Sequence, residues 1–302
     1  MPCFHPRVAW QAPGGGRVSF TARPGLVPMQ FPCQSCIGCR MMKRLSWVVR
    51  CLLEHRLHSV ALFLTLTYDG LHLPLGGSVS VRDRQLFFKR LREYLAPLGV
   101  QVRYYGCDEY GPQTMRPHYH VILFGWWPSD AKLHSSESQM WTSAELTRLW
   151  GNGFASFGLV TRESIAYVAS QNVDKLTGEA ARKRYERVDL ETGEVYELEP
   201  ERAFMSRRPG IGAGFLDKYL SDVANVEVDG LRLVGGQVVP LGTYIDRKIE
   251  ELLPELVAAR KARRKAEANS PARVADSTDA RLRVREACAL ADVARKRERR
   301  KL

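Results

Sequence analysis

The segment that most restricts the fold of this chain is Arg116–Gly125, which reads RPHYHVILFG. Its second half, Val121–Phe124, is apolar at every position, so a strand here must be covered on both faces. Pro117 suits the start of a strand, where a missing N–H group costs little. The pattern therefore predicts a strand over His118–Gly125 that lies inside a sheet rather than at its edge.

The other periodic segments favour an α+β domain with an antiparallel sheet. We expect helices over 40–58, 80–95, 143–150 and 161–175, and strands over 63–68, 101–110 and 155–160. Ser80 and Asp83 resemble a capping box at the start of the second helix. Residues 1–38 read as loop, and residues 186–199 as a polar hairpin. The βα alternation and glycine loop of a nucleotide-binding fold are not found.

The charge distribution points to a polyanionic partner. The chain has 302 residues, with 45 Lys and Arg against 33 Asp and Glu, and its net charge is +12. Residues 260–302 hold fifteen basic and six acidic side chains, which puts +9 of that charge in a tail with helices expected over 245–268 and 279–300. We interpret this tail, including Arg263 and Arg264, as an arm for nucleic acid. The alternative is a solvated tail that only aids solubility.

Membrane insertion and export are not expected. The longest apolar run, around Val60–Leu66, is far shorter than the roughly 18 residues of a membrane helix. The N-terminus lacks the charged-then-apolar order of a signal peptide. The seven cysteines are an odd number in a chain of this length, which argues against a disulfide framework.

The two histidines of the HYH motif predict a metal site. His118 and His120 are two residues apart on a strand, so their imidazoles lie on the same face. A third ligand is needed, and chemistry on phosphate favours a carboxylate. Glu109 precedes the pair by nine residues and would lie beside it after a hairpin turn, whereas Asp108 would face the other way and ranks second. The alternative is a histidine pair without a metal.

A tyrosine on the next helix could supply a nucleophile. Tyr167 lies in the helix that begins near Thr161, between Ile165 and Val168. Attack of its hydroxyl on a phosphodiester would give a phosphotyrosine link and free a 3′-hydroxyl. Lys175, eight residues later, could contact a phosphate. Core packing is the alternative role for Tyr167.

Two further motifs suggest binding functions. Cys33, Cys36 and Cys39 form CxxCxxC, and Cys3 or His5 could complete a structural zinc site. Free thiols and an iron–sulfur cluster are the alternatives.

The segment RRPGIG at 207–212 offers the guanidinium groups of Arg207 and Arg208 to phosphate, and we interpret it as a DNA-contact loop. A basic turn without a ligand is the alternative. Arg116, beside the HYH motif, is a further candidate DNA contact.

Six ordered motifs resemble the replication initiators of gokushovirus-type single-stranded DNA phages, which belong to the HUH endonucleases. The motifs span about Pro32 to Tyr219 and read CQSCIGCR, FLTLTY, DEYG with RPHYH, LW with GF, YVA, and SRRPGIG. The resemblance implies about five antiparallel strands flanked by helices. It also implies that His118, His120 and Glu109 hold Mn²⁺ or Mg²⁺ and that Tyr167 is the nicking nucleophile.

The chain departs from this family at the nucleophile helix. The family pattern is Tyr-x-x-x-Tyr followed by Lys three residues later. The second tyrosine position here is Gln171 and the lysine position is Asp174, whereas a slip of one residue gives Asn172 and Lys175. The resemblance therefore implies an enzyme with a single tyrosine, or an impaired one.

These observations predict an α+β protein with three parts. A Cys-containing segment is expected over 1–39, an HUH endonuclease domain over 40–225 with a hairpin insertion at about 178–206, and a C-terminal extension over 226–302. The expected activity is rolling-circle nicking and rejoining of a single-stranded DNA origin in the cytoplasm of a bacterial host, alongside the host replication machinery. The alternatives are a non-catalytic single-stranded DNA binder and a phosphoesterase that uses metal-bound water.

Overall fold

The computed structural model describes residues 3–14, 16–171, 173, 179–189, 191–224, 228–233 and 235–298. The chain divides into two compact units, of which the first comprises Met1–Lys43 with Glu250–Leu302 and the second comprises Arg44–Ile249. The domain boundaries drawn from the sequence stay a prediction. No helix in the described ranges has both the length and the hydropathy needed to cross a membrane.

The described elements follow one another in this order along the chain. The strands are β1 (Arg7–Gln11), β2 (Val27–Phe31), β3 (Ala61–Tyr68), β4 (Arg103–Tyr110), β5 (Pro117–Phe124), β6 (Lys132–Ser135), β7 (Met140–Thr142), β8 (Gly153–Leu159), β9 (Glu186–Val188), β10 (Val195–Glu197), β11 (Ala203–Met205), β12 (Leu231–Arg232) and β13 (Val238–Val239). The helices are α1 (Ile37–His55), α2 (Val81–Leu95), α3 (Ala144–Trp150), α4 (Arg162–Gln171), α5 (Glu179–Tyr185), α6 (Gly214–Val223), α7 (Thr243–Leu252), α8 (Pro254–Ala268), α9 (Pro271–Ala275) and α10 (Asp279–Glu298).

A seven-stranded antiparallel sheet forms the centre of the second unit. Its strand order is β11-β4-β5-β3-β8-β7-β6, and β5 is hydrogen-bonded on both sides, to β4 and to β3. The predicted α+β class with an antiparallel sheet is confirmed, but the expected number of about five strands is too low. Beside the four long strands β4, β5, β3 and β8, the sheet has three short strands at its edges, β11 on one side and the β6–β7 hairpin on the other. Strands of three or four residues give too little alternation to be recognised in sequence.

Apolar side chains cover the sheet on both faces. On one face, α2 and α3 contribute Phe87, Leu91 and Trp150 to a core that also includes Leu64 and Val121. On the other face, the helices are α1 and α4, and the buried cluster contains Val48, Ile122, Phe124, Ile165 and Val168. Each such side chain contributes roughly 1.5–3 kcal/mol when fully buried. The second cluster holds α4 against β4 and β5, which carry the HYH motif and its neighbouring carboxylates.

The predicted helix starts follow the expected capping chemistry. The Ser80 hydroxyl accepts a hydrogen bond from the Asp83 N–H at 3.1 Å, so Ser80 is the N-cap of α2, which begins at Val81. The reciprocal half of the predicted capping box is not formed, because the Ser80 N–H donates to the Tyr119 hydroxyl. Ser143 caps α3 in the same way through the N–H of Leu146, at 2.9 Å. The helix ends at Gly151, which adopts φ 69° and so takes the left-handed conformation that favours glycine.

Three sequence-based assignments need correction. Residues 1–38 are not all loop, because β1 and β2 pair as an antiparallel hairpin. The first helix begins at Ile37 and ends at His55, three residues earlier at each end than expected. The segment 245–268 is two helices, because Pro254 starts a new helix at a position where its missing N–H is not needed. The polar hairpin within 186–199 is confirmed as β9 and β10.

Candidate metal and nucleophile site

The predicted metal ligands lie together because of the pairing between β4 and β5. Glu109 is directly opposite His118, and Cys107 is opposite His120, so both histidines and Glu109 share one face of the sheet. The Glu109 Oε2 atom is 3.4 Å from His120 Nε2 and 3.8 Å from His118 Nε2. One ligand atom from each of the three residues lies within 4.8 Å of the others. The arrangement can hold one metal ion.

The Nδ1 atoms of both histidines are engaged on the side away from Glu109. His118 Nδ1 donates to the backbone oxygen of Arg116 at 3.2 Å, which leaves its Nε2 lone pair available in the neutral ring. His120 Nδ1 makes a hydrogen bond of 3.1 Å with the Thr65 hydroxyl. Such partners fix the orientation of metal-binding imidazoles. Sequence reasoning missed Thr65, although its alternation on β3 gave a signal that could have identified it.

Burial has opposite consequences for the two kinds of predicted metal ligand: it favours the neutral imidazole that a metal needs and disfavours the ionised carboxylate. His120 is 9% exposed, and burial together with the neighbouring His118 lowers its pKa to about 3, so its ring is neutral at pH 7. Burial raises the pKa of Glu109, while His118 and the Tyr167 hydroxyl act in the opposite direction by favouring the ionised form. Partners that favour the carboxylate therefore offset part of the cost of burying it.

Tyr167 lies against the same carboxylate. Its hydroxyl donates to both oxygens of Glu109, at 3.1 Å each. The ring packs edge-on against His120, with 5.2 Å between the ring centroids. Burial, followed by the charge of Glu109, raises the pKa of Tyr167 to about 12. The residue is thus partly a packing element, but its oxygen points to the predicted metal ligands.

The residue one helical turn after Tyr167 also contacts Glu109. Gln171 Nε2 donates to Glu109 Oε1 at 3.0 Å. From the sequence, Gln171 was notable only as a missing tyrosine, and nothing in the local pattern showed which side chain it contacts. Lys175, together with Asn172 and Asp174, lies outside the described residues.

Asp108 lies on the opposite face, as strand alternation predicts. Its side chain is 1% exposed, and Oδ1 is 3.3 Å from Nε of Arg84, whose guanidinium also packs over the ring of Phe204. Asp108 therefore belongs to a buried ion pair between β4 and α2 and does not reach the histidines.

The candidate DNA contacts belong to different elements of the chain. Arg116 donates through Nη2 to the backbone oxygen of Tyr68 at 3.0 Å, close to the histidines. Arg207 and Arg208 are exposed in the turn after β11, and they line a cavity of about 1380 Å³. Arg263 and Arg264 are exposed on α8 of the first unit.

That cavity is rich in arginine. Besides Arg207 and Arg208, its lining includes Arg84, Arg92, Arg103 and Arg202. Three of these are neutralised by carboxylates, in the pairs Arg84–Asp108, Arg103–Glu54 and Arg202–Glu199. In the part of the chain that the structure describes, Arg207 and Arg208 have no acidic partner. The cavity therefore carries excess positive charge.

The four predicted cysteines converge in the first unit. Their sulfur atoms all lie within 4.8 Å of one another, with Cys33–Cys39 and Cys3–Cys36 each at 3.9 Å. Backbone N–H groups point at the sulfurs, from Cys33 to Cys3 at 3.2 Å and from Cys36 to Cys33 at 3.3 Å. Burial raises the pKa of Cys33, but the N–H groups of Cys36 and Ser35 outweigh it and lower the pKa to about 6. Such donors stabilise thiolates.

The alternative fourth ligand, His5, is engaged elsewhere. Its Nε2 atom is 2.6 Å from the carboxylate of Glu286 on α10. Phe4 and Leu282 are buried against the cysteines, so the cluster sits in a small apolar core of the first unit. Cys3 is therefore the residue that completes the group of four sulfurs.

Comparison with known proteins gives one consistent group. A family model described as replication-associated protein ORF2/G2P matches residues 61–175. The chain is 32% identical over 232 residues to the replication-associated protein ORF2 of Spiroplasma virus 4, covering 72% of this chain and 67% of that protein. It is 38% identical over 159 residues to the replication-associated protein VP4 of Bdellovibrio phage phiMH2K, covering 50% of each. The chain thus spans half the length of the latter relative. No solved structure matches the chain.

The low pKa of His120 predicts an acid-dependent loss of stability. Unfolded His120 binds a proton near pH 6.5, whereas the folded side chain binds one only near pH 3. Stability should therefore fall as the pH drops from about 6.5 towards 3, with a contribution from His120 of up to about 1.4 kcal/mol per pH unit. Urea unfolding of EDTA-treated protein across this range should show a shallower fall for His120→Gln. The exposed His134 provides the control variant, His134→Gln, and equal slopes for His120→Gln and wild type would contradict the prediction.

Proposed function

This chain belongs to the family of phage replication-associated proteins, and from that premise we propose that it is a rolling-circle replication initiator that nicks and rejoins single-stranded origin DNA. The observation that carries the proposal is the position of the Tyr167 hydroxyl, 3.1 Å from the carboxylate of Glu109, which is grouped with His118 and His120. A nucleophile and three metal-ligating groups at one point are what phosphotyrosine chemistry on DNA requires. We propose that the reaction occurs in the cytoplasm of a bacterial host, alongside its replication machinery.

Glu109, His118 and His120 would hold a divalent ion, for which we propose Mn²⁺ or Mg²⁺. Two imidazoles and one carboxylate can hold such an ion and leave further positions for phosphate oxygens. When bound, the ion would polarise the phosphodiester and offset the charge that develops on it. Thr65 and the backbone oxygen of Arg116 would hold the two imidazoles in orientation.

The chemical step forms a covalent link between protein and DNA. The Tyr167 oxygen attacks phosphorus, the bond from phosphorus to the 3′ oxygen breaks, and the 5′ side of the break stays attached as a phosphotyrosine. The phenolic proton leaves along the hydrogen bond to Glu109, and the released 3′ oxygen takes a proton from solvent. Rejoining reverses these changes, because a 3′-hydroxyl attacks the phosphotyrosine and restores the phosphodiester.

The geometry favours Tyr167 over Tyr185, the nearest other tyrosine after it in the sequence. Tyr185 is 6% exposed, and its hydroxyl donates to the carboxylate of Glu201. It packs with Tyr110 in a separate apolar cluster. A nucleophile must reach substrate, so a hydroxyl that is buried and bonded in this way is poorly suited to the role.

Replacing Tyr167 by Phe tests the nucleophile directly. We expect wild type with Mn²⁺ or Mg²⁺ to form a covalent adduct, stable to denaturation, with one of a tiled set of labelled single-stranded oligonucleotides covering the genome that encodes the chain. Only the fragment downstream of the nick should be attached. Tyr167→Phe should lose adduct and cleavage together, because it lacks only the hydroxyl and keeps the ring packing.

Tyr219→Phe is the matched control, because Tyr219 is 40% exposed on α6 and is expected to form adduct normally. Cleavage by Tyr167→Phe without an adduct would support a phosphoesterase that uses metal-bound water. Binding of single-stranded DNA by wild type without any cleavage would support the non-catalytic binder.

For the DNA path, we propose that Arg207 and Arg208 bind phosphates at a distance from the nick. Their cavity includes Arg103 at the first residue of β4, whereas Glu109 is six residues further along the same strand. That separation corresponds to roughly 20 Å. The aromatic rings of Phe88 and Tyr104 beside the cavity already stack on each other, with 3.7 Å between their centroids, so the free groups of the cavity suit phosphates better than bases.

Neutralising arginines should flatten the salt dependence of DNA binding. Removing a positive charge that neutralises one phosphate reduces the slope of log affinity against log salt by about 0.7 for single strands. Arg207→Ala with Arg208→Ala, and separately Arg263→Ala with Arg264→Ala, should each reduce the slope by about 1.4 in fluorescence anisotropy titrations, since each removes two charges. Lys132→Ala, an exposed change on β6, should leave it unchanged. An unaltered slope in either double variant would show that its arginines do not bind DNA.

Deleting residues 260–302 is a less informative test of DNA binding. The deletion would also remove Leu282, which packs against the cysteine cluster, and so would disturb the fold of the first unit.

We also propose that Cys3, Cys33, Cys36 and Cys39 hold a structural zinc ion. The four convergent sulfurs match a closed zinc site, and the backbone N–H groups directed at the sulfurs of Cys3 and Cys33 would stabilise thiolates there. The ion would connect the start of the chain to the first turn of α1.

Metal analysis of purified protein should therefore find one zinc per chain. Cys36→Ser should lose it and lower the melting temperature, because Cys36 is buried among the four sulfurs. Cys288→Ser should keep the metal, since Cys288 is an exposed free cysteine on α10. Iron in place of zinc would indicate a cluster, and metal-free wild type with the melting temperature of Cys36→Ser would show that the cysteines are ordinary thiols.

A further inference from the structure

The face of α4 that carries Tyr167 carries a second side chain bound to the same carboxylate. Gln171 follows Tyr167 by four residues, so the two lie one above the other on the helix. We propose that Gln171 is a positioning residue, whose amide holds one oxygen of Glu109 so that the other faces the two histidines. This inference rests on the proposed function, because it concerns the geometry of the metal ligand in that site.

The two oxygens of Glu109 have different partners. Oε1 accepts hydrogen bonds from Gln171 Nε2 at 3.0 Å and from the Tyr167 hydroxyl at 3.1 Å. Oε2 is the oxygen nearest to the imidazoles, 3.4 Å from Nε2 of His120. The terminal torsion of a glutamate is broad and roughly two-fold, so the side chain alone does not choose which oxygen faces the metal. A hydrogen-bond donor bound to one oxygen therefore determines that the other oxygen faces the metal.

The contribution of Gln171 becomes larger during the reaction. Tyr167 bonds to both carboxylate oxygens in this structure, but its oxygen must turn to phosphorus in order to attack. Once it turns away, Gln171 is the remaining donor to Oε1 among the described residues. A neutral amide can stay there without exchanging a proton with the tyrosine or the carboxylate. The carboxylate is then held while the nucleophile moves.

The side-chain environment supports a specific contact rather than a chance one. The Glu109 side chain is 13% exposed, so water has little access to replace a missing donor. Removing a partner from a nearly buried carboxylate leaves that oxygen with an unmet hydrogen bond. Residues that orient metal ligands in this way usually change metal affinity by tenfold to about 100-fold when they are replaced.

Mn²⁺ affinity in the absence of DNA tests the inference without relying on catalysis. Titration followed by the electron paramagnetic resonance signal of free Mn²⁺ gives the dissociation constant for wild type and variants. Gln171→Met keeps the length of the side chain but lacks the donor, and we expect its dissociation constant to rise about tenfold or more. Gln171→Asn keeps the amide on a shorter stem and should show a similar rise.

Ser170→Ala is the matched control on the same helix. The Ser170 hydroxyl donates to the backbone oxygen of Ala166 at 2.7 Å, within its own helix, so Mn²⁺ affinity should not change. Thermal melting of the metal-free proteins separates a loss of folding from a loss of metal binding. In assays of adduct formation by the Gln171 variants, the Mn²⁺ concentration that gives half the maximal rate should rise by a larger factor than the maximal rate falls.

The outcomes separate the inference from the function on which it rests. Wild type that binds Mn²⁺ and a folded Gln171→Met that binds it equally well would overturn the role of Gln171 and leave the metal site in place. Wild type that binds no Mn²⁺ would overturn both. Weakened binding in both Gln171 variants, with Ser170→Ala unchanged, supports the inference.

Discussion

The antiparallel register between β4 and β5 is the constraint on which the candidate site depends. Because Glu109 pairs directly with His118, the carboxylate and both imidazoles share one face, and no loop has to bring them together. A shift of one residue would send Glu109 to the other face and put Asp108 in its place. The buried pair between Asp108 and Arg84 opposes that shift, because the slip would turn Asp108 away from α2.

Two adjacent carboxylates on β4 have different roles because they lie on opposite faces of the sheet. Asp108 is paired with Arg84 under α2, and breaking such a buried pair typically costs about 3–5 kcal/mol. Glu109 instead has hydrogen-bond donors and imidazoles around it and lies under α4. The strand β4 is thus joined to α2 by an ion pair on one face and presents a candidate metal ligand on the other. The ion pair stabilises the register of β4, and that register keeps Glu109 beside the histidines.

Period-two alternation carried most of what could be predicted from the sequence. It indicated that His118, His120 and Glu109 would share a face, and that Asp108 would not, because strand side chains alternate without exception in a regular ladder. Gln171 was missed because its contact with Glu109 depends on which face of a helix distant in sequence meets β4. Thr65 had a signal in the alternation of β3, but that pattern does not say which residue its hydroxyl contacts. Edge strands such as β11 were missed because three residues give no periodic signal.

The ionisation of Glu109 depends on the side chains that contact it. Burial raises its pKa, so the carboxylate is ionised only to the extent that neighbours favour the charge. The Tyr167 hydroxyl and His118 both do so, and a bound cation would do so more strongly because it carries two charges. Metal binding and ionisation of Glu109 are therefore linked, and each promotes the other. A site built on one nearly buried carboxylate depends on every donor around it, which makes the amide of Gln171 important through its hydrogen bond to Glu109.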